Sequence, residues 1–241
     1  MHADWITPPP APHPPAPGEV HVWRIPLRPP APVVQALRAT LDAEERERAD
    51  RFRMQHLTVR FVTGRGAQRD ILGRYLGAAP AALRFTVGEY GKPALHPPRL
   101  RFNLSNSGDL ALLAVAGAGD VGVDVEETRA MPDAEGIARR MYSAAEQRAL
   151  FALPPAEREA AFLRVWTRKE AFIKAQGSGV WAGLDRFDVS IGPAAALLAV
   201  DGSAAEAARW SMRALQPGPG YVAALVTEGS AEQVSLFAWH P

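Results

Sequence analysis

Residues 121–127 read VGVDVEE. Side chains of a strand alternate between faces, so Val121, Val123 and Val125 share one side and Asp124 and Glu126 the other. Two carboxylates that close repel and raise each other's pKa unless a cation or a basic side chain lies between them. Hard oxygen ligands of this kind suit Mg²⁺ or Mn²⁺, with water and phosphate oxygens completing the shell. Taken by itself, the segment reads equally well as an edge strand with a wet acidic face. A second stretch, FLRVWTRKEAFIKAQGSG (162–179), adds to it. On a helix Trp166, Glu170 and Lys174 are spaced i, i+4, i+8 and share one face, with Lys169 on its flank. Val165, Ala171, Phe172 and Ile173 supply much of the core contact. The plain reading is an amphipathic helix with a surface Glu170–Lys174 pair, worth about 0.2–0.5 kcal/mol. The functional reading makes Glu170 the third carboxylate of a metal site. Three acids with a lysine at their margin suit phosphate transfer, because metal and ammonium neutralise charge developing on phosphoryl oxygens.

The elements that must position these groups follow from periodicity and turn chemistry. VHVWRI (20–25) reads as a strand, and PVVQALRATL (32–41) has helical spacing of Val33, Val34, Leu37 and Leu41. Asp42 and Glu45 form a capping box that opens a helix near Ala43, and further helix is expected from Leu57 to Tyr75. Strands are expected at 83–89, 101–105, 110–116 and 121–127, separated by the tight polar turns YGKP, NSGD and GAGD. That order favours an antiparallel or mixed meander over alternating βα units. Helices follow at 133–142, at 144–152 behind a Ser143–Glu146 capping box, and at 156–176 up to Gly177. Strands are expected at 185–191, 195–200, 209–215, 221–227 and 233–239. The fold class is therefore α+β, with helices and a small sheet in each half. The expected division is a proline-rich tail at 1–19, a first half at 20–121 and a second at 122–241.

Composition narrows the chemistry. The chain has 241 residues, 47% of them hydrophobic, enough for a core without staples. The absence of cysteine excludes disulfides, thiolate metal sites and cysteine nucleophiles. A net charge of +1 argues against a role coating nucleic acid, and no apolar run is long enough for a membrane span. The first residues lack the basic start and apolar stretch of a signal peptide, so the expected location is the cytoplasm. Seven prolines between Pro8 and Pro17 predict an extended, disordered tail. None of the six histidines has metal-ligand spacing. Ser178 in GSG lacks the strand–turn–helix frame of a nucleophile elbow. Trp23, Trp210 and Trp239 read as core, and so does Trp181, which could also help receive a partner.

GVDVE (122–126) and WTRKEAFIK (166–174) together resemble the 4′-phosphopantetheinyl transferases, whose paired motifs are G-[IV]-D-[IV]-E and W-[ST]-x-K-E-[AS]-[FY]-x-K. EYGKP (89–93) is similar to the family's G-K-P turn, FNLSNSG (102–108) to its F-N-[IL]-S-H-S-G segment, and LDAEERERADRF to its basic helix. The likeness covers about residues 20–228. Order and size resemble the monomeric, surfactin-synthetase-activating type. That resemblance implies two similar α/β halves related by a pseudo-twofold, a site in the cleft between them, and a monomer.

The resemblance also implies a reaction. Coenzyme A is the substrate, Mg²⁺ (or Mn²⁺) the cofactor, and the partner an acyl or peptidyl carrier protein of a fatty-acid, polyketide or nonribosomal-peptide synthase. The carrier serine takes the phosphopantetheine and 3′,5′-ADP leaves. Carried over by position, Asp124, Glu126 and Glu170 match the metal-binding acids, Glu170 is also the general base, and Lys174 steadies the pyrophosphate. Lys169 is a further phosphate contact. Lys92 and Pro93 match the turn over the adenine and its phosphates. Arg48, Arg51 and Arg60 are candidate contacts to the 3′-phosphate and pyrophosphate, since arginine's fork suits phosphate geometry, and Ser105 matches a residue of the adenosine pocket. Asn106 stands where the family has a histidine, so it can donate a hydrogen bond there but carries no charge. A basic position of the early helix is likewise Glu45. On the residues alone, a Mg²⁺-dependent phosphohydrolase or nuclease using the same acids is the alternative. The upstream GKP and FNLSNSG segments speak against it.

Overall fold

A computed structural model describes residues 5–178 and 183–241. The chain runs β1 (Glu19–Pro26), α1 (Ala31–Thr40), α2 (Ala43–Asp50), α3 (Gln55–Leu76), β2 (Phe85–Val87), β3 (Pro93–Leu95), β4 (Arg101–Ser107), β5 (Leu110–Ala116) and β6 (Val121–Glu127). It continues through α4 (Ala134–Met141), α5 (Ala144–Phe151), α6 (Pro155–Gln176), β7 (Phe187–Val189), β8 (Leu197–Val200), α7 (Ala204–Ala207), β9 (Trp210–Leu215), β10 (Tyr221–Glu228) and β11 (Gln233–Ala238).

Two sheets carry the architecture. One has the order β11-β1-β5-β4 and the other β6-β10-β9. They face each other: Val20, Val22, Leu112 and Ala114 of the first pack against Val121, Val123, Val125 and Leu225 of the second. The outer face of the first sheet, with Trp23, Ile25 and Leu113, is covered by α1 and α3 through Leu37, Val62 and Leu72. The outer face of the second, with Ala224 and Val226, is covered by α6 through Ala171, Phe172 and Ala175. Being covered on both faces explains why β5, LALLAVA, is apolar at every position and buried throughout. The α+β class holds, and each half sets one long helix on one sheet. Both helices have 22 residues and end at a left-handed glycine, Gly77 and Gly177.

The structure departs from the sequence expectations in four respects. The meander is broken at GAGD, because β5 and β6 lie in different sheets. β11, although last in the chain, pairs in parallel with β1 and so completes the first sheet across the expected 121/122 division. The proline-rich segment is ordered from Trp5 onward. Ile6 exchanges backbone bonds with Leu236 and Ala238, and the Trp5 indole donates to the Gln216 carbonyl at 3.0 Å. Proline loses little conformational entropy on ordering, and Ile6 covers part of the open edge of β11. β2 and β7 are three residues each, shorter than the strands expected there.

Candidate active site

The approach of α6 to β6 is set by a missing side chain. A Cβ on Gly122 would stand 2.1 Å from the Ala171 carbonyl oxygen and 2.3 Å from the Ala175 nitrogen. With only hydrogen there, the helix backbone lies directly on the strand. Asp124 and Glu126 share the Gly122 face, and Glu170 and Lys174 flank Ala171 on α6. The alternation read from VGVDVEE is therefore the one found, with the three valines between the sheets.

Asp124 is 3% exposed. The Lys174 ammonium donates to its Oδ1 at 2.5 Å and to Ser105 Oγ at 2.9 Å, and the Ser105 hydroxyl donates to the same Oδ1 at 2.8 Å. Burial pushes the Asp124 carboxyl above the usual carboxylate range, against the pull of Lys174 and Ser105. Its Oδ2 is buried and has no hydrogen-bond partner among the described residues. Glu170 is half-buried and has no hydrogen bond or ion pair among the described residues. Burial raises its pKa, Lys174 opposes, and Asp124 and Glu126 add to the rise, which places all three carboxylates within electrostatic reach. They are not drawn into one ligand set: among the described residues no three acidic or histidine side chains stand close enough to hold a metal ion. Lys174 supplies the countercharge instead. The free Asp124 Oδ2 and the unpartnered Glu170 are the uncommitted oxygen donors of the site.

β4 holds the acid strand from the other side. Asn103 Oδ1 accepts from Val123 N at 2.9 Å, and Ser107 donates to Glu126 Oε2 at 2.8 Å while accepting from Glu127 N at 3.1 Å. Asn103, Ser105 and Ser107 are alternate residues, so one face of β4 joins the two sheets through side chains. Neither Asn103, Ser107 nor Gly122 was singled out from the sequence by its own chemistry. The polar alternation in FNLSNSG is the signal that could have pointed to the first two.

Next to the acids lie two connected hollows. The larger, about 610 Å³, is lined by Arg48, Arg60, Arg65, Gln68, Asn106 and Arg129. The smaller, about 250 Å³, is lined by Tyr90, Lys92, Ile173, Glu170 and Lys174. They share Gly91, Pro93, Asn103 and Leu104 as a common wall. Lys92 also donates to the Ala175 carbonyl at 2.7 Å. Arg60 is held by Asp109 Oδ1, at 2.8 Å from Nε and 2.6 Å from Nη2. Arg48, Arg60, Lys92, Pro93, Asn106, Glu170 and Lys174 line these two hollows. Asp124 and Ser105 are buried beside them, bonded to Lys174, so Ser105 does not line the arginine-bearing hollow, and Glu126 is bonded to Ser107 of that hollow's lining. Arg65, Gln68 and Arg129 line the same hollow, though sequence reasoning did not single them out for it.

Three basic or acidic positions go elsewhere. Lys169 is not a phosphate contact. It is fully buried, donating to the carbonyls of Leu184 and Phe187 and paired with Glu146 at 2.8 Å. Its four-carbon stem lets it reach those carbonyls through the core, on the side of α6 away from the cleft. Arg51 is exposed, faces Glu47 at 3.5 Å, and does not line the cleft. Glu45 anchors α2 to α3, accepting from Arg69 Nε at 2.7 Å while capping Asp42 N. Trp181 lies outside the described residues.

The Lys169–Glu146 pair yields a direct expectation. Lys169→Met leaves a buried, uncompensated carboxylate and is expected to destabilise the fold by about 3–5 kcal/mol. The double change Lys169→Met with Glu146→Gln should recover much of that loss in a thermal melt. Loss of activity in the single variant at a temperature where it is fully folded would return Lys169 to the active site.

Comparison with known proteins identifies the family. The 4′-phosphopantetheinyl transferase superfamily profile matches residues 120–226, which span β6 and α6 and reach into β10. The 4′-phosphopantetheinyl transferase HetI of Nostoc sp. is 38% identical over 227 residues, covering 92% of this chain and 90% of that protein. Psf-1 of Bacillus pumilus is 36% identical over 64% of this chain and 65% of its own length. Sfp of Bacillus subtilis strain 168 is 32% identical over 63% and 66%. With 38% identity sustained over nearly the whole of both chains, and the paired acid motifs set face to face across Gly122, the chain belongs to the 4′-phosphopantetheinyl transferase family.

Proposed function

We propose that the chain transfers the 4′-phosphopantetheine of coenzyme A to a serine of an apo carrier protein, releasing 3′,5′-ADP. The observation that carries this reading is an unpartnered, half-buried Glu170 beside the Lys174–Asp124 pair, where the acid pocket opens into an arginine-lined hollow. The hollow suits a nucleotide with several phosphates, since Arg48, Arg60 and Arg65 present guanidinium forks that match phosphate geometry. A serine hydroxyl is a weak nucleophile at neutral pH and needs a base within hydrogen-bond reach. Glu170 is the carboxylate free to serve, and its burial raises its affinity for a proton. Lys174 stands where it can steady phosphate oxygens of the bond being broken.

The chemistry of the donors suits a divalent ion, which would have to draw the three carboxylates together. A buried carboxylate oxygen without a partner, on Asp124, is what a missing hard cation would satisfy, and Glu126 and Glu170 stand nearby. Mg²⁺ or Mn²⁺ held by Asp124, Glu126 and Glu170 would neutralise pyrophosphate charge. The phosphohydrolase or nuclease alternative gains no observation from the structure.

The test is incubation of the chain with coenzyme A, Mg²⁺ and apo carrier domains of the fatty-acid, polyketide and nonribosomal-peptide types. Intact-mass spectrometry should show at least one carrier gaining a single phosphopantetheine, on its serine. Unmodified carriers across the whole panel would overturn the reading.

A further inference from the structure

The two large sheets share a plan. The first contains the order β1-β5-β4 and the second β6-β10-β9, each with its middle strand antiparallel to both neighbours. Each also carries one of the 22-residue helices, α3 or α6. In the first half the arginine-lined hollow lies between α3 and the edge strand β4, with Gly64 and Gln68 in its wall. The second half has a hollow at the corresponding place, between α6 and the end of the edge strand β9, of about 360 Å³. Arg164 and Arg168 line it, and they stand as far before Gly177 as Gly64 and Gln68 stand before Gly77. This hollow shares no lining residue with the two beside the acids.

Two guanidinium groups meet there without a countercharge. No acidic residue lines the hollow, and neither arginine has a carboxylate within ion-pair distance among the described residues. Arg168 is 1% exposed and donates to the carbonyls of Ser190 and Pro193. Arg164 donates from Nε to the Ile191 carbonyl at 3.0 Å, and its two terminal nitrogens have no hydrogen-bond partner among the described residues. Burial, with the charge of Arg164 adding, brings the Arg168 pKa down to about 10, so the two cations stand close enough to repel. Such a pair is unfavourable until an anion lies between its members. Guanidinium forks match phosphate oxygens, and a dianion balances both charges. The rest of the wall includes the apolar side chains of Pro193, Pro219 and Val222.

We propose that this hollow is a second ligand site, pseudo-symmetric to the arginine-lined hollow beside the acids, and that it takes a small phosphate monoester. The phosphate lies between Arg164 and Arg168, and the apolar body of the ligand lies against Pro193, Pro219 and Val222. Neither the pocket nor its ligand class depends on the coenzyme A reading.

Amide chemical shifts of the full chain, followed by NMR during titration with phenyl phosphate and with inorganic phosphate, test this. Both probes should move the Gln216 and Gly218 amides of the β9–β10 turn and saturate there. Phenyl phosphate should do so at lower concentration, because its ring covers the apolar wall. Arg164→Gln should weaken binding at those amides about tenfold or more, the loss expected with a charge-assisted bond. Responses at Asn106, Ser107 and Gly108, in the other hollow, should stay as in the parent. Ala214→Glu serves where Arg164→Gln folds poorly. Ala214 is an exposed residue of β9 in the wall of the hollow, so a glutamate there supplies the countercharge from within and should exclude both probes while the chain stays folded. Gln216 and Gly218 amides that do not respond to millimolar probe, or that respond unchanged in either folded variant, would overturn the second site. Inorganic phosphate binding there as tightly as phenyl phosphate would overturn the monoester assignment.

Discussion

Glu170→Gln is expected to lower kcat for carrier modification by about 10²–10⁴-fold, the usual share of a positioned general base. Binding of coenzyme A should persist, because the arginine-lined hollow that would hold the nucleotide does not include Glu170. Stability should hold or rise. The carboxylate has no bonded partner among the described residues, and burial with repulsion from Asp124 and Glu126 disfavours its charge more than Lys174 favours it. A neutral isostere removes both penalties and empties no space. The three readouts separate the possible roles of this residue. A variant that turns over normally but binds coenzyme A weakly would make Glu170 a binding group only. A variant that melts well below the parent would make it a structural one.

Gly122→Ala is expected to lower both stability and turnover. The added methyl would meet backbone atoms of Ala171 and Ala175 at 2.1 and 2.3 Å, and no side chain is available to swing aside. Overpacking of this kind destabilises by about 1–3 kcal/mol, and relief requires α6 to lift from β6. Glu170 and Lys174 flank the contact on the same turns, so the lift separates them from Asp124. A displacement of about 1 Å at a reacting group lowers rate by roughly 10²-fold. The control is Val123→Ala, one residue along and on the opposite face, between the sheets. It should lower the melting temperature while leaving kcat near the parent value. Equal kcat for Gly122→Ala and the parent, measured on folded protein, would show that the close approach does not set the geometry of the site.

Much of this site was legible before any coordinates. Strand alternation placed Asp124 and Glu126 on the face opposite the three valines. Helical spacing placed Glu170 and Lys174 on one side of α6. The Asp42–Glu45 and Ser143–Glu146 boxes marked two helix starts that the structure keeps. These are local facts, set by bond geometry and hydrogen-bond chemistry within a few residues.

What lay between those local facts was decided only in three dimensions. A periodic pattern says which side chains share a face and not what that face meets. Lys169 and Lys174 are five residues apart on one helix, yet one is sealed in the core against Glu146 and the other reaches Asp124 in the cleft. Arg51 and Arg65 look alike in a basic helical stretch; packing of α2 on α3 leaves the first beside Glu47 and turns the second into the hollow with Gln68. The parallel pairing of β11 with β1 joins segments some two hundred residues apart, and no turn motif encodes it. The amino acids alone therefore determined which groups are available for chemistry and which faces carry them. The tertiary structure determined which of those groups meet, because that depends on contacts between elements distant in the chain and on the close approach of α6 to β6 that the missing side chain of Gly122 permits.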